Sequence, residues 1–307
     1  MSAASGCCRG WWQLLRVANA PTAASNILAG FLLAGGGWQP LGTLAVLIVA
    51  SLLIYLAGMV LNDVYDAQRD AVDRPERPIP AGHVSRKTAF LVGNGLLALG
   101  VVAAWVVALI SESWAPAIAG LLLACSVLGY DFGLKRTALG PLVMGGCRLF
   151  NVLLGASATL QPGAIAGVLL FATVVGLYTT GLTYYARSEN ATHRTVDHGW
   201  GEVLIGGALL LLAGLPLVTG PIQGQLGLGA SWYVCWSFVL AAALLARRKS
   251  LADRGVDAFR ENVSRLIGTM ILLDALAAFA AAGWPAALIV LSLLIPVRIA
   301  SRWVAMT

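Results

Sequence analysis

Charge is what this sequence has least of. Only 11% of its 307 residues are Asp, Glu, Lys or Arg, and 59% are apolar. An ordinary soluble domain carries about a quarter charged residues, so that class is excluded. Apolar runs of about 20 residues, the length of a bilayer-crossing helix, recur from end to end. No polar stretch is long enough to build another domain, so residues 1–307 are expected to form a single integral-membrane domain. The expected fold class is all-α, a polytopic membrane helical bundle of nine to ten transmembrane helices.

Patterned cysteine and histidine are also missing. Cys7, Cys8, Cys125, Cys147 and Cys235 have no metal-ligand spacing and no disulfide framework. Three of them sit in apolar runs, where Cys serves as a small packing residue. The Cys7-Cys8 pair follows no apolar region that would make it a lipoprotein signal, and no cleavable signal peptide is visible. His83, His193 and His198 form no metal-ligand set; His193 or His198 could serve as a base, or simply face solvent in a loop.

What is present is order among the apolar runs. They fall near 17–36, 41–62, 88–110, 115–131, 139–159, 163–186, 201–219, 230–246, 264–282 and 285–303. Breakers separate them: GGGWQP at 35–40, QPG at 161–163, GPIQGQ at 220–225 and GWP at 283–285. Trp11, Trp12, Trp38, Trp114, Trp200, Trp284 and Trp303 lie near segment ends, as interfacial tryptophans do. With ten spans and a cytoplasmic N-terminus, all 20 Lys and Arg fall in inner stretches or at the inner ends of adjoining helices. Nine spans would put Arg298 and Arg302 outside. Residues 285–303, short and holding Pro296 and Arg298, could instead form a re-entrant or interfacial segment. Glu112 alone among the acids falls in an outer turn, so chemistry is expected on the cytoplasmic face, in the loops after spans two, four, six and eight.

The densest charge is in residues 58–86. Asn62, Asp66 and Asp70 recur every four residues, which stacks them on one face of a helix. Mg²⁺ is commonly held by one or two carboxylates plus substrate phosphates and water, and this helix end supplies such a set. Arg69, Arg74 and Arg77 can pair with the remaining phosphate oxygens. Pro75, Pro78 and Pro80 then force the chain out of helix. Read blandly, the stretch is a solvated loop whose acids and arginines pair with each other.

The run from Asn62 to Asp70, NDVYDAQRD, with DRPERPIPAG after it, resembles the first signature of the UbiA superfamily of membrane prenyltransferases. Tyr130 to Thr137, YDFGLKRT, resembles the family's tyrosine-then-Lys-Arg loop after span four, and LLRVANAPT (Leu14 to Thr22) its opening pattern. The resemblance implies a bundle of about nine helices around a central cavity. It implies that Asn62, Asp66 and Asp70 bind Mg²⁺ and the diphosphate of an isoprenyl donor, with Lys135 and Arg136 holding the diphosphate and Tyr130 beside it. Asp66, Asp70 and Lys135 would then be the catalytic residues. The carbon–oxygen bond to diphosphate would ionise, and an aromatic or lipid acceptor would attack the allylic cation.

The loop after span six departs from the family pattern. In place of paired aspartates it reads LTYYARSENATHR from Leu182 to Arg194, where Glu189 is the only carboxylate, with Asp197 further along. Arg187 could bind diphosphate in place of a second metal, or Arg187 and Glu189 could be a plain ion pair. In this the chain resembles divergent UbiA-like members, such as the one in bacterial Ebo clusters, more than quinone-pathway enzymes. Arg148 and Asn151, two turns into span five, are expected to face the cavity, with Asp131 or the diphosphate as counterion for Arg148. Asp274, in mid-span, is either a structural hydrogen-bonding residue or cavity wall.

The expected function is Mg²⁺-dependent intramembrane prenyl transfer. Its partners would be a donor diphosphate, an acceptor and membrane lipid, with no nucleic acid, in the cell inner membrane. A non-catalytic carrier that kept the fold and half the site is the alternative. A secondary transporter would need matched halves with broken helices, which the sequence lacks. A CDP-alcohol phosphotransferase would need an Asp-Gly-x-x-Ala-Arg start, also absent.

Overall fold

The computed structural model describes residues 10–187, 194–219, 226–252 and 256–301. Cys7, Cys8, Glu189, His193, the 220–225 turn, Arg302 and Trp303 lie outside them. The described residues form ten main helices: α1 (Ala20–Phe31), α2 (Leu41–Asp73), α3 (Arg86–Ile110), α4 (Ala115–Phe132), α5 (Gly140–Ala156), α6 (Ile165–Arg187), α7 (Arg194–Leu212), α8 (Leu226–Ala252), α9 (Val256–Ser292) and α10 (Leu294–Ser301). No strand occurs among them. Over the described residues, each apolar segment read from the sequence coincides mainly with helix. By length and composition, six stretches can cross a membrane: Gly10–Gly35, Leu41–Asp73, Arg86–Ile110, Ala115–Phe132, Pro162–Arg187 and Glu261–Ala300. Gly140–Ala156 and Gly229–Leu245 are shorter apolar helices.

Helix α2 explains why a charged site can project from an apolar bundle. Its 33 residues span about 50 Å at 1.5 Å per residue, against about 30 Å of bilayer hydrocarbon. The surplus is its charged end. The helix stops at Asp73 because Arg74 precedes Pro75 and takes non-helical φ and ψ of −147° and 64°. The chain re-enters helix at α3, where the Ser85 side chain accepts a hydrogen bond from the Thr88 amide at 3.0 Å.

Helix α1 is the hub, packed against α2, α5 and α9. It meets α5 backbone to backbone. A Cβ on Gly30 would strike the Val152 carbonyl, and one on Gly155 would strike that of Ile27, so these two glycines permit the close crossing. Successive helices α2 to α7 pack neighbour on neighbour. One apolar cluster joins α1–α5 through Ile27, Phe31, Leu47, Ile54, Leu61 and Leu154. Another joins α6–α9 through Phe171, Tyr178, Trp232 and Phe279. The outward face of α3 exposes Leu99, Val102, Leu109 and Ile110, as a lipid-facing surface should.

The C-terminal segment settles its own direction. Helix α9 starts beside the charged end of α6, where Tyr185 stacks on Phe259 at 5.0 Å. It breaks at Gly283, whose φ of 76° is left-handed, and Pro285 follows. The chain then returns, and α10 packs on the Val17–Asn19 turn at the end where the bundle began.

Candidate functional site

One face of α2 forms a wall. Ser51, Tyr55, Met59, Asn62, Asp66 and Asp70 recur at three- or four-residue steps, and all line a cavity of about 730 Å³. Helices α1, α4 and α5 close it with Ala23, Leu123, Val127, Tyr130, Asp131, Met144, Arg148 and Asn151, and the loop after α2 adds Arg74 and Arg77. The cavity has a charged mouth and an inner end with one arginine.

At the mouth the acids of α2 already have bases. The Lys135 ammonium donates to Asn62 Oδ1 at 2.9 Å and Asp66 Oδ2 at 2.7 Å. Arg136 donates to Asp66 Oδ1 at 3.1 Å. Arg77 donates to Asp70 Oδ2 at 2.8 Å and reaches Asp63 Oδ1 at 3.5 Å. Arg16 also donates to Asp63, at 3.2 Å. Its backbone is left-handed (φ 42°, ψ 47°), uncommon for a side-chain-bearing residue, and its carbonyl accepts from the Tyr55 hydroxyl at 3.3 Å. Arg69 is turned outward to Asp73 at 2.9 Å, with both side chains exposed.

Arg187 does something else. Its guanidinium donates to the carbonyls of Lys135 and Thr137, the latter at 2.9 Å, and Tyr184 OH donates to Ala138 O at 3.4 Å. The end of α6 thus fastens the backbone of the loop that carries Lys135 and Arg136. Glu189, expected beside it, lies outside the described residues. His198 is away from the cavity, beside Glu202 at 3.4 Å and the Tyr185 ring at 4.8 Å, in a separate hollow of about 120 Å³.

The inner end is built from helices. Arg148 donates to Thr22 Oγ1 at 2.9 Å and Asn26 Oδ1 at 3.3 Å, and lies 5.9 Å from the centre of the Tyr55 ring. Asn26 donates in turn to both oxygens of Asp274, at 2.8 and 2.9 Å, and Ser25 donates to Asp274 Oδ2. Asp274 is fully buried, the hydrogen-bonding residue of the two readings, and the counterion of Arg148 is reached through Asn26 and not through Asp131. Asn151 spends its amide on protein, donating to Ala23 O at 2.9 Å and accepting from Ser51 at 2.7 Å.

Asp131, expected as a possible counterion of Arg148, makes no ion pair among the described residues. It is buried, lines the cavity, and its Oδ2 has no hydrogen-bond partner among the described residues. A buried orphan carboxylate oxygen is costly without a ligand or cation. Its signal was a carboxylate at the end of an apolar span, next to Tyr130. The donor set suits a hard cation: Asn62, Asp66, Asp70 and Asp131 all line one cavity. No group of three or more His, Cys, Asp and Glu side chains arranged to hold a metal by themselves occurs among the described residues. A metal here would depend on Asn62, substrate phosphates and water for the rest of its shell, as Mg²⁺ commonly does.

Residues 23–255 match the UbiA prenyltransferase family. The chain belongs to that family. A digeranylgeranylglyceryl phosphate synthase of Methanopyrus kandleri is 34% identical over 174 residues, 55% of this chain and 60% of that relative's own length. One from Methanothermobacter thermautotrophicus is 29% identical over 266 residues, 80% of this chain and 88% of the relative. A solved UbiA homologue from Archaeoglobus fulgidus, bound to DMAPP and Mg²⁺, superposes with a TM-score of 0.52 at 13% identity, covering 86% of this chain and 99% of that one. At that identity the likeness concerns the fold. The UbiA fold therefore carries here a paired acid–base mouth, and an end of α6 that contributes a strut.

Proposed function

We propose that the protein is an intramembrane prenyltransferase that moves an isoprenyl group from an isoprenyl diphosphate to an acceptor, with Mg²⁺. The observation that carries this is the mouth: Asn62, Asp66 and Asp70 on one helix face, each held by a cation suited to phosphate. The Archaeoglobus homologue bound to DMAPP and Mg²⁺ supports the same donor chemistry. The name of the two relatives supports a glyceryl phosphate lipid as one kind of acceptor; an aromatic acceptor is the other. The concentration of basic residues at the mouth supports a cytoplasmic N-terminus and active site in the cell inner membrane.

Mg²⁺, when bound, supplies counter-charge to the diphosphate oxygens. Asn62, Asp66 and Asp70 would hold it. Lys135, Arg136 and Arg77 leave their carboxylates for the diphosphate, so acids and bases exchange partners together. Arg74 lines the same mouth and adds to the phosphate field, with Tyr130 at its edge. The prenyl carbon–oxygen bond then breaks, and its electron pair leaves on the diphosphate. Lys135 and Arg136 stabilise that charge because they are pre-set by the Arg187 strut. Tyr55, Met59, Leu123, Val127 and Met144 keep water from the cation. The acceptor's nucleophile donates an electron pair to the carbon and loses a proton, which Asp131 is placed to take.

The test is an assay of purified protein with dimethylallyl, farnesyl and geranylgeranyl diphosphates, Mg²⁺ and both acceptor kinds. Transfer from at least one donor is expected. Absence of donor binding in Mg²⁺ would sink the proposal. One observation favours a second reading, a non-catalytic lipid carrier: Arg187 is spent on loop carbonyls and no second acidic set faces the mouth among the described residues. Wild-type cellular function in an Asp66→Ala, Asp70→Ala double variant would select it.

A further inference from the structure

The mouth accounts for the donor but not for a guanidinium at the other end of the cavity. Tyr55, beside Arg148, is about 16 Å along α2 from Asp66 at 1.5 Å per residue. A cation held that deep in an apolar bundle is costly unless something fixes and uses it.

Something fixes it. Asp274, Ser25, Asn26 and Thr22 form a relay from α9 through α1 to Arg148. The negative end of the relay is fully buried and does not line the cavity, whereas Arg148 does. The cavity wall there is therefore positive. Two of the five guanidinium N–H groups are spent on the relay. No ion pair among the described residues includes Arg148. The polar neighbours Asn151 and Ser51 are bonded to each other and to Ala23, so they do not compete for a ligand. A planar guanidinium with N–H groups to spare, pinned from behind and facing a cavity, is suited to an oxyanion.

We propose that Arg148 is the recognition group for an anionic head group on the prenyl acceptor, a phosphate ester or a carboxylate, seated at the inner end of the cavity. This rests on the prenyl-transfer reading. It puts the two anions at opposite ends of one cavity, diphosphate at the mouth and acceptor anion at Arg148, with the reacting carbon between them. Asp274, Asn26 and Ser25 are positioning residues for Arg148.

The test uses the full-length protein with saturating donor and Mg²⁺, and four acceptor probes. Two are anionic: a hydroxybenzoate and a glyceryl phosphate monoether. Two are their neutral counterparts: a hydroxybenzyl alcohol and a glycerol monoether. Wild type is expected to prefer one anionic probe over its neutral counterpart at least tenfold in kcat/KM, and which one distinguishes carboxylate from phosphate. Arg148→Gln is expected to erase that preference by raising KM for the anionic probe, while donor affinity stays within twofold. Arg148→Lys, which keeps the charge and loses the fork, should retain part of the preference and serves if the Gln variant does not fold. Asp274→Asn should weaken the preference in the same direction. Equal loss on anionic and neutral probes would make Arg148 a structural residue and overturn the assignment. So would wild type that binds donor yet uses no anionic probe better than its neutral twin. Failure of wild type to bind donor would overturn the prenyl-transfer reading itself, and this assignment with it.

Discussion

The two ends of the cavity use acid–base pairs in opposite ways. At the mouth, Asp66 and Asp70 touch Lys135, Arg136 and Arg77 directly, and those cations come from loops. At the inner end, Asp274 and Arg148 come from helices and never touch; Asn26 stands between them. Direct pairs whose cations sit on loops can be exchanged for a metal and a diphosphate. A relay anchored in helices keeps its charge in one place. The mouth is built to change partners, and the inner end to hold still.

The largest break in that contrast should come from the mouth. Asp66→Ala with Asp70→Ala is expected to weaken Mg²⁺-dependent donor binding by about 10³-fold with little loss of thermal stability, because the pairs are partly solvated. Equilibrium binding with a thermal melt of the same sample checks both. Unchanged binding would remove the mouth from the mechanism. Asp274→Ala should do the reverse, costing about 3 kcal/mol of stability, since it leaves buried Asn26 and Ser25 without their common acceptor and removes the counter-charge that Arg148 reaches through Asn26. Donor affinity should barely move in the folded fraction.

A smaller effect separates a strut from a ligand. Arg187→Gln removes two hydrogen bonds to loop carbonyls, each about 1 kcal/mol. It is expected to lower kcat about tenfold while inorganic pyrophosphate binding changes little. A parallel loss of pyrophosphate affinity would make Arg187 a diphosphate ligand after all. Glu261→Ala sets the floor. It removes an exposed pair with Arg265 one turn away and should shift stability by no more than about 0.5 kcal/mol.

The helices were legible because hydropathy in a bilayer is nearly sufficient to write them: over the described residues every expected apolar segment is mainly helix, and the GWP turn marks the break at Gly283. The Asn62, Asp66 and Asp70 face was legible because four-residue spacing is local. Partners distant in sequence were not. Arg148 finds Thr22 and Asn26, 126 and 122 residues away, and Asp274 finds Asn26 at a separation of 248; no local pattern encodes either. The use of Arg187 was hidden for another reason. Its acceptors are backbone carbonyls, which every residue has, so they leave no mark in the sequence. Asp131 was visible as a carboxylate but not as an orphan, because burial of one oxygen is decided by packing.

The most direct test of the partner exchange is donor binding measured across a Mg²⁺ titration in the wild-type protein. If Asp66 and Asp70 give up Lys135, Arg136 and Arg77 only when metal and diphosphate arrive together, each should bind weakly alone. Each should then strengthen the other by at least about tenfold, within the range of ordinary coupling. Donor binding that is equally tight in EDTA would contradict the account.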